Sequence, residues 1–268
     1  MVEAGNRILY SLQMPTLRSA PVKTDVAFDD LHRDILTGVH APGTPLRIAA
    51  LSALYGVSAT PLREALSRLE EKHLVVAEAN RGWRVAPVSM AEFEDLQIAR
   101  LTVESALLDD AMRLGGLDWE SGIVAAHYRL TQVTAPLGAH DDLRTRQIWI
   151  KTHDDFHSAL LAAGRSSWLK AFYAQVSEQA QRHHQALLFH TRAINADGPA
   201  RHSEETEALL RTALSVARHT ELMQVALDRD RARAMDVLRD HVEITLAIYR
   251  SIVRGSNEPA PSTERIST

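Results

Sequence analysis

The sequence predicts a mainly α-helical protein, with an N-terminal winged helix-turn-helix followed by an all-α antiparallel helical bundle. Two patterns predict this fold class. Residues 23–88 combine short helical patterns with a pair of short β-prone segments, whereas residues 89–254 repeat one amphipathic helix after another. The composition supports it, because 45% hydrophobic residues in a chain of 268 can bury two cores of this size.

The two ends of the chain are predicted to lie outside these domains. Residues 1–22 show no stable period and contain Pro15 and Pro21, so we expect a flexible extension. Polar residues interrupt this segment before any continuous apolar stretch forms, which does not fit a signal peptide. Residues 255–268 are rich in proline and serine, which predicts a disordered tail.

Composition and charge exclude several classes of protein. No apolar run approaches the roughly 18–20 residues that a membrane helix needs. The absence of cysteine excludes disulfide scaffolds, cysteine–zinc sites and thiol nucleophiles, and makes the cytoplasm the expected location. A net charge of −4 excludes a wholly basic nucleic-acid coat, although a local DNA-binding face remains compatible with it.

The domain at residues 23–88 begins with two short helices. Phe28, Leu31 and Ile35 recur at helical spacing, and Gly38 ends that pattern. A second helix is predicted over residues 48–55, followed by a tight turn at residues 56–58. Two short helices joined through a glycine turn are typical of a helix-turn-helix.

The third predicted helix has an apolar face and a free face. Ser58 or Thr60 is its N-cap, and Pro61 is tolerated because first-turn N–H groups have no intrahelical acceptor. An apolar stripe follows at the spacing i, i+3, i+4, i+7, formed by Leu62, Ala65, Leu66 and Leu69. Thr60, Arg63 and Ser67 therefore project from another face, toward solvent or a DNA groove.

Two β-prone segments, residues 74–77 and 83–86, follow this helix. The residues between them include Asn80 and Gly82, which tolerate the positive φ that a hairpin turn demands. A hairpin after two such helices predicts a winged helix-turn-helix, whose third helix has the dimensions to enter the major groove.

These residues resemble the GntR family of bacterial transcription regulators. The resemblance covers the whole unit in order, through the segments 42–46 (PGTPL), 56–66 (GVSATPLREAL), 74–75 (LV) and 80–82 (NRG). It implies a homodimer on a pseudo-palindromic operator in double-stranded DNA. It also implies DNA contacts at one group of exposed positions, namely Ser58, Thr60, Arg63, Arg81 and Gly82.

The sequence departs from the family at Ala59, where an arginine is usual. Arg63 then becomes the main candidate for a base or phosphate contact, and Arg47 lies close to the second helix as a further candidate. The alternative for Arg63 is an intrahelical salt bridge to Glu64 or Glu70.

The helical domain is predicted to contain six helices, at residues 91–113, 118–134, 141–162, 166–191, 203–228 and 231–253.

The histidines of the helical domain suggest a metal site. His153 and His157 share one helix face because they are four residues apart. If the last two helices fold into a hairpin near residue 229, His219 and His241 stand at about the same level. Neutral imidazoles that converge in this way suit Zn, Ni, Cu and Fe.

This half of the chain resembles the ligand-binding domain of the FadR-like branch, called FCD. The resemblance implies a divalent metal, zinc first with Ni, Mn or Fe as alternatives, bound by His157, His219 and His241. The family's aspartate ligand is replaced here, so either His153 or Asp154 completes the set. Histidines 183, 184 and 190 are interpreted as a solvated helix face, with one of them lining a pocket as the alternative.

Arg100 and Glu104 are the candidate effector-binding residues. Arg100 could clamp a carboxylate, and the alternative is a simple ion pair with Glu104 one turn away. The sequence therefore predicts a metal-containing regulator, not an enzyme, that responds to a small organic acid. A metal-dependent HD-type phosphohydrolase and a regulator with a purely structural metal remain as alternatives, the first suggested by His153-Asp154.

Overall fold

The computed structural model describes residues 23–140, 142–186 and 203–257. The predicted extension at 1–22, most of the predicted tail and residues 187–202 of the helical domain lie outside this range. The described chain is mainly helical and contains one small three-stranded sheet. None of its helices is both long and apolar enough to cross a membrane. The predicted fold class is confirmed.

The N-terminal unit is built from three helices and three strands. Helix α1 spans Lys23–Leu36, α2 spans Ile48–Tyr55 and α3 spans Ala59–Glu71; the strands are β1 (Pro45–Leu46), β2 (Val75–Glu78) and β3 (Gly82–Val85). The strands pair antiparallel in the order β1-β3-β2. The predicted hairpin is therefore the wing, and β1 joins it along the outer edge of β3.

Local chemistry explains the turns and the buried face of this unit. Gly56 ends α2 with a φ of 66°, and Gly82 has a φ of 85° at the wing turn, a conformation that glycine adopts without strain. The predicted apolar stripe of α3 is confirmed, because four side chains of α3 are fully buried: Leu62, Ala65, Leu66 and Leu69. They pack with α1, α2 and the sheet into one core.

The C-terminal part forms a bundle around a second core. Its helices are α4 (Met90–Leu114), α5 (Leu117–Thr131), α6 (Leu143–Leu161), α7 (Ser167–His184), α8 (Glu204–Ala213), α9 (Val216–Leu227) and α10 (Arg231–Asn257). Helix α4 packs against α6, α7 and α10, so its inward side chains reach the centre of the bundle.

Two predicted boundaries in this part were wrong. Residues 203–228 form two helices, because the chain breaks at Leu214-Ser215 and the Ser215 hydroxyl accepts a hydrogen bond from the Ala217 N–H as the N-cap of α9. Helix α10 continues to Asn257, into the segment predicted as a tail. The break between α8 and α9 matters for the site, because residues of α8 line a cavity in the bundle.

Helix α7 connects the bundle to the N-terminal unit. Arg182, of which 1% is exposed, donates hydrogen bonds to the carbonyl oxygens of Ala86 and Pro87 and to Glu92. One turn earlier, Gln179 donates to the Lys72 carbonyl oxygen at the end of α3. The chain segment between the wing and α4 is therefore held by a buried guanidinium.

Candidate functional site

Four histidines converge inside the bundle. His153 and His157 come from α6, His219 from α9 and His241 from α10, and their ligand nitrogens all lie within 4.8 Å of one another. The ring centroids of His153 and His157 are 4.5 Å apart, and those of His219 and His241 are 5.1 Å apart. The structure thus brings together all four histidines that the sequence singled out.

The local fold explains this convergence. His153 and His157 follow each other by one turn of α6, so both face the bundle interior. Helices α9 and α10 are joined at residues 228–230, where Arg229 has a φ of 60°. This tight connection brings His219 and His241 to the same level on neighbouring helices, as the hairpin argument predicted.

Hydrogen bonds at Nδ1 orient three of the imidazoles. His157 donates to Glu104 Oε1 at 2.5 Å, His219 donates to the Ser215 carbonyl oxygen at 3.0 Å, and His153 donates to Asp154 at 3.1 Å. The Nε2 atoms of His157 and His219 are buried and have no partner among the described residues. A histidine bonded at one nitrogen and free at the other has the arrangement that metal ligands usually show.

Burial lowers the pKa of three of the four imidazoles, those of His153, His219 and His241. Loss of solvent, reinforced by the neighbouring imidazoles, lowers the pKa of His153 and His241 well below the usual value. Burial, followed by the charge of His157, lowers the pKa of His219 to about 4. Neutral imidazole is the form that binds a metal ion, so these three lowered pKa values favour metal binding at neutral pH.

Arg100 and Glu104 form a buried ion pair beside the cluster. Arg100 Nε lies 3.1 Å from Glu104 Oε2, which is the intrahelical pair considered as an alternative above. Burial alone would raise the pKa of Glu104, but Arg100 and His157 outweigh that effect and lower it to about 2. The Glu104 carboxylate therefore pairs with Arg100 and also accepts a hydrogen bond from His157.

A cavity of about 330 Å³ adjoins this cluster. Arg100, His153 and His241 line it, whereas Glu104 is not among its lining residues. Its apolar wall comes from α6, α8 and α10 and includes Trp149, Ile150, Leu210, Leu214 and Ile248. A volume at the small end of the roughly 300–1,000 Å³ range of ligand pockets suits a compact organic molecule.

The favoured interpretation of two histidines of α7 was wrong, and the alternative, that one of them lines a pocket, holds for His184. His183 is fully buried beside Glu92, and His184 lines the cavity, so neither belongs to a solvated helix face. His190 lies outside the described residues. The amphipathic pattern of α7 could not reveal this, because the helix is covered on one side by α4 and on another by the N-terminal unit.

The residues predicted to contact DNA all belong to the N-terminal unit. All six are exposed: Arg47, Ser58, Thr60, Arg63, Arg81 and Gly82. Among the described residues Arg63 has no ion pair, since Glu64 accepts from Thr24 and Glu70 accepts from Trp83. The alternative of an intrahelical salt bridge is therefore wrong, and the Arg63 guanidinium is free for a ligand.

Comparison with known proteins shows that the chain is similar to transcription regulators. Residues 23–85 match the sequence profile described as bacterial regulatory proteins, gntR family. The chain is 30% identical over 226 residues to the HTH-type transcriptional regulator BphR of Paraburkholderia xenovorans, covering 84% of each protein. The chain belongs to the GntR family. It is also 29% identical over 233 residues to the Escherichia coli repressor GlaR, covering 84% of this chain and 95% of that protein.

Solved structures share the fold at lower identity. Escherichia coli McbR/YncC superposes with a TM-score of 0.63 at 18% identity, covering 89% of this chain and all of that one. A putative GntR regulator from Rhodococcus gives 0.61 at 22% identity, covering 85% of this chain and 97% of that one. The chain is thus a DNA-binding transcription regulator of the GntR family, and the phosphohydrolase alternative is wrong because the relatives are named as regulators.

Two features of the site were missed by sequence reasoning. Glu104 orients His157 rather than facing an effector, and Arg182 holds the segment that leads from the wing to α4. Each contact joins residues far apart in the chain. A single glutamate or arginine on an amphipathic helix gave no signal of such a partner.

Proposed function

We propose that this GntR-family regulator binds a divalent metal and a small organic acid in its helical domain, and that the acid changes its affinity for operator DNA. The protein would bind a pseudo-palindromic operator as a homodimer, as its resemblance to the FadR-like branch with an FCD domain implies. The observation that carries the proposal is the cluster of four buried imidazoles beside a cavity lined by an arginine.

The donor set favours a transition metal, zinc first, with Ni, Mn and Fe as alternatives. Four imidazoles provide four neutral nitrogens, the number that zinc takes in a tetrahedral site. Two of the Nε2 atoms are buried without a partner in the described chain, which is a cost that a bound ion removes. Asp154 fits less well, because its carboxylate accepts a hydrogen bond from His153 and it lies outside the cluster.

The acid would lie in the cavity, with its carboxylate toward the cluster and Arg100. The Arg100 guanidinium is already paired through Nε with Glu104, which fixes its orientation and leaves its other N–H groups for a ligand. A bound metal that expands its coordination beyond the four imidazoles would take a carboxylate or hydroxyl oxygen as an additional ligand. An apolar wall beside this charged end suits an acid with a hydrocarbon body.

Helix α7 offers a physical connection from the cavity to the DNA-binding unit. His184 of this helix lines the cavity. Earlier on the same helix, Arg182 donates hydrogen bonds to the carbonyl oxygens of Ala86 and Pro87. Glu178 accepts a hydrogen bond of 2.9 Å from Lys72 of the N-terminal unit. An effector that prefers one position of α7 would bias the spacing of the two winged helices in a dimer. A tenfold change in operator affinity needs a differential of only about 1.4 kcal/mol.

The experiment is operator binding with and without acids. A labelled duplex from upstream of the chain's own coding sequence is titrated at fixed salt with zinc-loaded and with metal-free protein, and anisotropy gives the midpoint. Lactate, citrate, benzoate and 3-phenylpropionate are added in turn. We expect at least one acid to shift the midpoint of the zinc-loaded parent and of a His140→Ala control, but not of His241→Ala.

The same experiment separates the remaining alternative. If zinc is bound and every acid leaves the operator midpoint unchanged, the metal is purely structural and the effector part of the proposal fails. If the protein does not bind the duplex in any state, its regulatory target lies elsewhere in the genome, and a selection from random duplexes replaces the upstream fragment.

A further inference from the structure

Two unsatisfied polar groups belong to side chains that line the cavity, away from the histidine cluster. The Tyr249 hydroxyl, in a residue that is 1% exposed, and His184 Nε2 are both buried and have no hydrogen-bond partner among the described residues. Both side chains line the cavity. A buried tyrosine hydroxyl normally finds a partner, so this pair calls for an explanation.

The surrounding rings hold the pair in place. Tyr249 and His184 stack nearly parallel, with ring centroids 5.7 Å apart and an interplanar angle of 10°. Phe93 packs against both of them, 4.1 Å from the Tyr249 ring and 5.6 Å from the His184 ring. Side chains from three helices, α4, α7 and α10, thus pack around the two polar groups.

The position of Tyr249 along α10 sets the distance from the cluster. Tyr249 follows His241 by eight residues, slightly more than two helical turns, or about 12 Å of axial rise. Between them Thr245 and Ile248 also line the cavity. The histidine cluster and this second polar pair are therefore separated along α10 by about the length of one aromatic ring with a short side chain. The wall between them includes the apolar Ile248 and Thr245, whose hydroxyl donates to the His241 carbonyl oxygen.

We propose that Tyr249 and His184 form a second polar subsite that recognises a hydroxyl or carbonyl group at the end of the effector opposite to its carboxylate. This inference rests on the proposed effector binding and names the class of acid: an apolar body of one-ring length with a neutral polar group at its far end. Burial, together with Arg100 and His183, lowers the pKa of His184 to about 3, so its imidazole is neutral at pH 7. A phenol-type hydroxyl and a neutral imidazole offer one donor and one acceptor, which matches a neutral group of this kind.

The test compares two acids that differ by one hydroxyl group. Binding of 3-(4-hydroxyphenyl)propionate and of 3-phenylpropionate to the zinc-loaded full chain is measured by calorimetry. We expect the parent to prefer the hydroxylated acid at least about tenfold, because the acid without the hydroxyl leaves both polar atoms unpaired. In Tyr249→Phe the preference should fall to about twofold or less, through weaker binding of the hydroxylated acid only. The control is Tyr128→Phe, whose exposed side chain is not among the cavity-lining residues and which should behave as the parent.

Unliganded stability provides a second measurement. Because the Tyr249 hydroxyl has no partner in the described chain, Tyr249→Phe should unfold at the same temperature as the parent or higher, whereas a structural hydroxyl would make the variant less stable. Equal affinities of the parent for the two acids, or a preference that survives in Tyr249→Phe, would overturn the subsite and leave the proposed function intact. If the zinc-loaded parent binds neither these acids nor any acid of the operator experiment, the proposed effector function fails and the subsite fails with it.

Discussion

Glu104 accepts a hydrogen bond of 2.5 Å from Nδ1 of His157, in a contact between side chains that are 1% and 0% exposed. The same carboxylate pairs with Arg100, so one residue of α4 connects the candidate metal cluster with the arginine that lines the cavity. A carboxylate behind a ligating histidine fixes the ring and makes its free nitrogen a better donor. This relationship joins the two halves of the proposed site.

Replacing Glu104 with Gln should weaken metal binding by about 10–100-fold, the usual effect of removing the partner of a ligating histidine. The amide keeps the size of the side chain but loses the charge that His157 and Arg100 face. Zinc affinity is measured by competition with a chromophoric chelator. The control is Asp155→Asn, an exposed α6 carboxylate paired with Lys151, which should leave the affinity unchanged. An unaltered affinity in Glu104→Gln would remove His157 from the ligand set.

The resemblance to FCD domains implies an aspartate ligand at the position of His153, and the role of His153 can be tested by restoring that aspartate. His153→Asp should keep the metal and favour harder cations such as Mn, because carboxylate oxygen is a harder donor than imidazole. His153→Ala should lower metal affinity. The metal content and the Mn/Zn preference are read by elemental analysis. If His153→Ala holds zinc as tightly as the parent while His219→Ala does not, His153 is not a ligand.

Arg63 is expected to be the most important single side chain for operator recognition. It is exposed on α3, has no ion pair among the described residues, and lies near Ala59, where the family usually has arginine. Arg63→Ala should weaken specific binding by about 1–3 kcal/mol if Arg63 contacts a base through two hydrogen bonds. Arg68→Ala is the matched control, since Arg68 is on the same helix but pairs with Asp25. A folded Arg63→Ala protein with the parent's gel-shift midpoint would place the main contact at Arg47 or Arg81.

Arg182 should stabilise the junction between the two domains. Arg182→Met leaves the buried carbonyl oxygens of Ala86 and Pro87 without their donor, so we expect the free energy of unfolding to fall by about 2–3 kcal/mol. Segment 86–89 should also be cut faster in limited proteolysis. Arg113→Met, which removes an exposed arginine paired with Asp110, should cost less than about 1 kcal/mol. Equal losses in the two variants would show that Arg182 does not hold the junction.

The sequence predicted those parts of the site that depend on local spacing. The i, i+4 pair His153 and His157, and the level positions of His219 and His241 on a helical hairpin, follow from helix geometry alone. The apolar stripe of α3 was predicted from the same periodicity, and the wing turn at Gly82 from the positive φ that glycine tolerates. In each case a few neighbouring residues determine the structure.

The parts that were missed depend on contacts between distant segments. Glu104 meets His157, and Arg182 meets Ala86, only after the helices have packed, and no spacing rule relates such positions. The break between α8 and α9 is a different case. Ser215 before a new apolar run was a readable N-cap signal, but the nearly continuous helical pattern from residue 203 to 228 concealed it.

The proposed metal site is tested most directly by the metal content of the full chain, purified without a chelating tag or column and compared with that of four single variants. We expect about one transition-metal ion, most readily zinc, per chain in the parent and in the His140→Ala control. We expect loss of that ion in His157→Ala, His219→Ala and His241→Ala, each still folded by circular dichroism. A parent that takes up no metal after incubation with zinc, or variants that keep it, would contradict the metal site and the effector mechanism built on it.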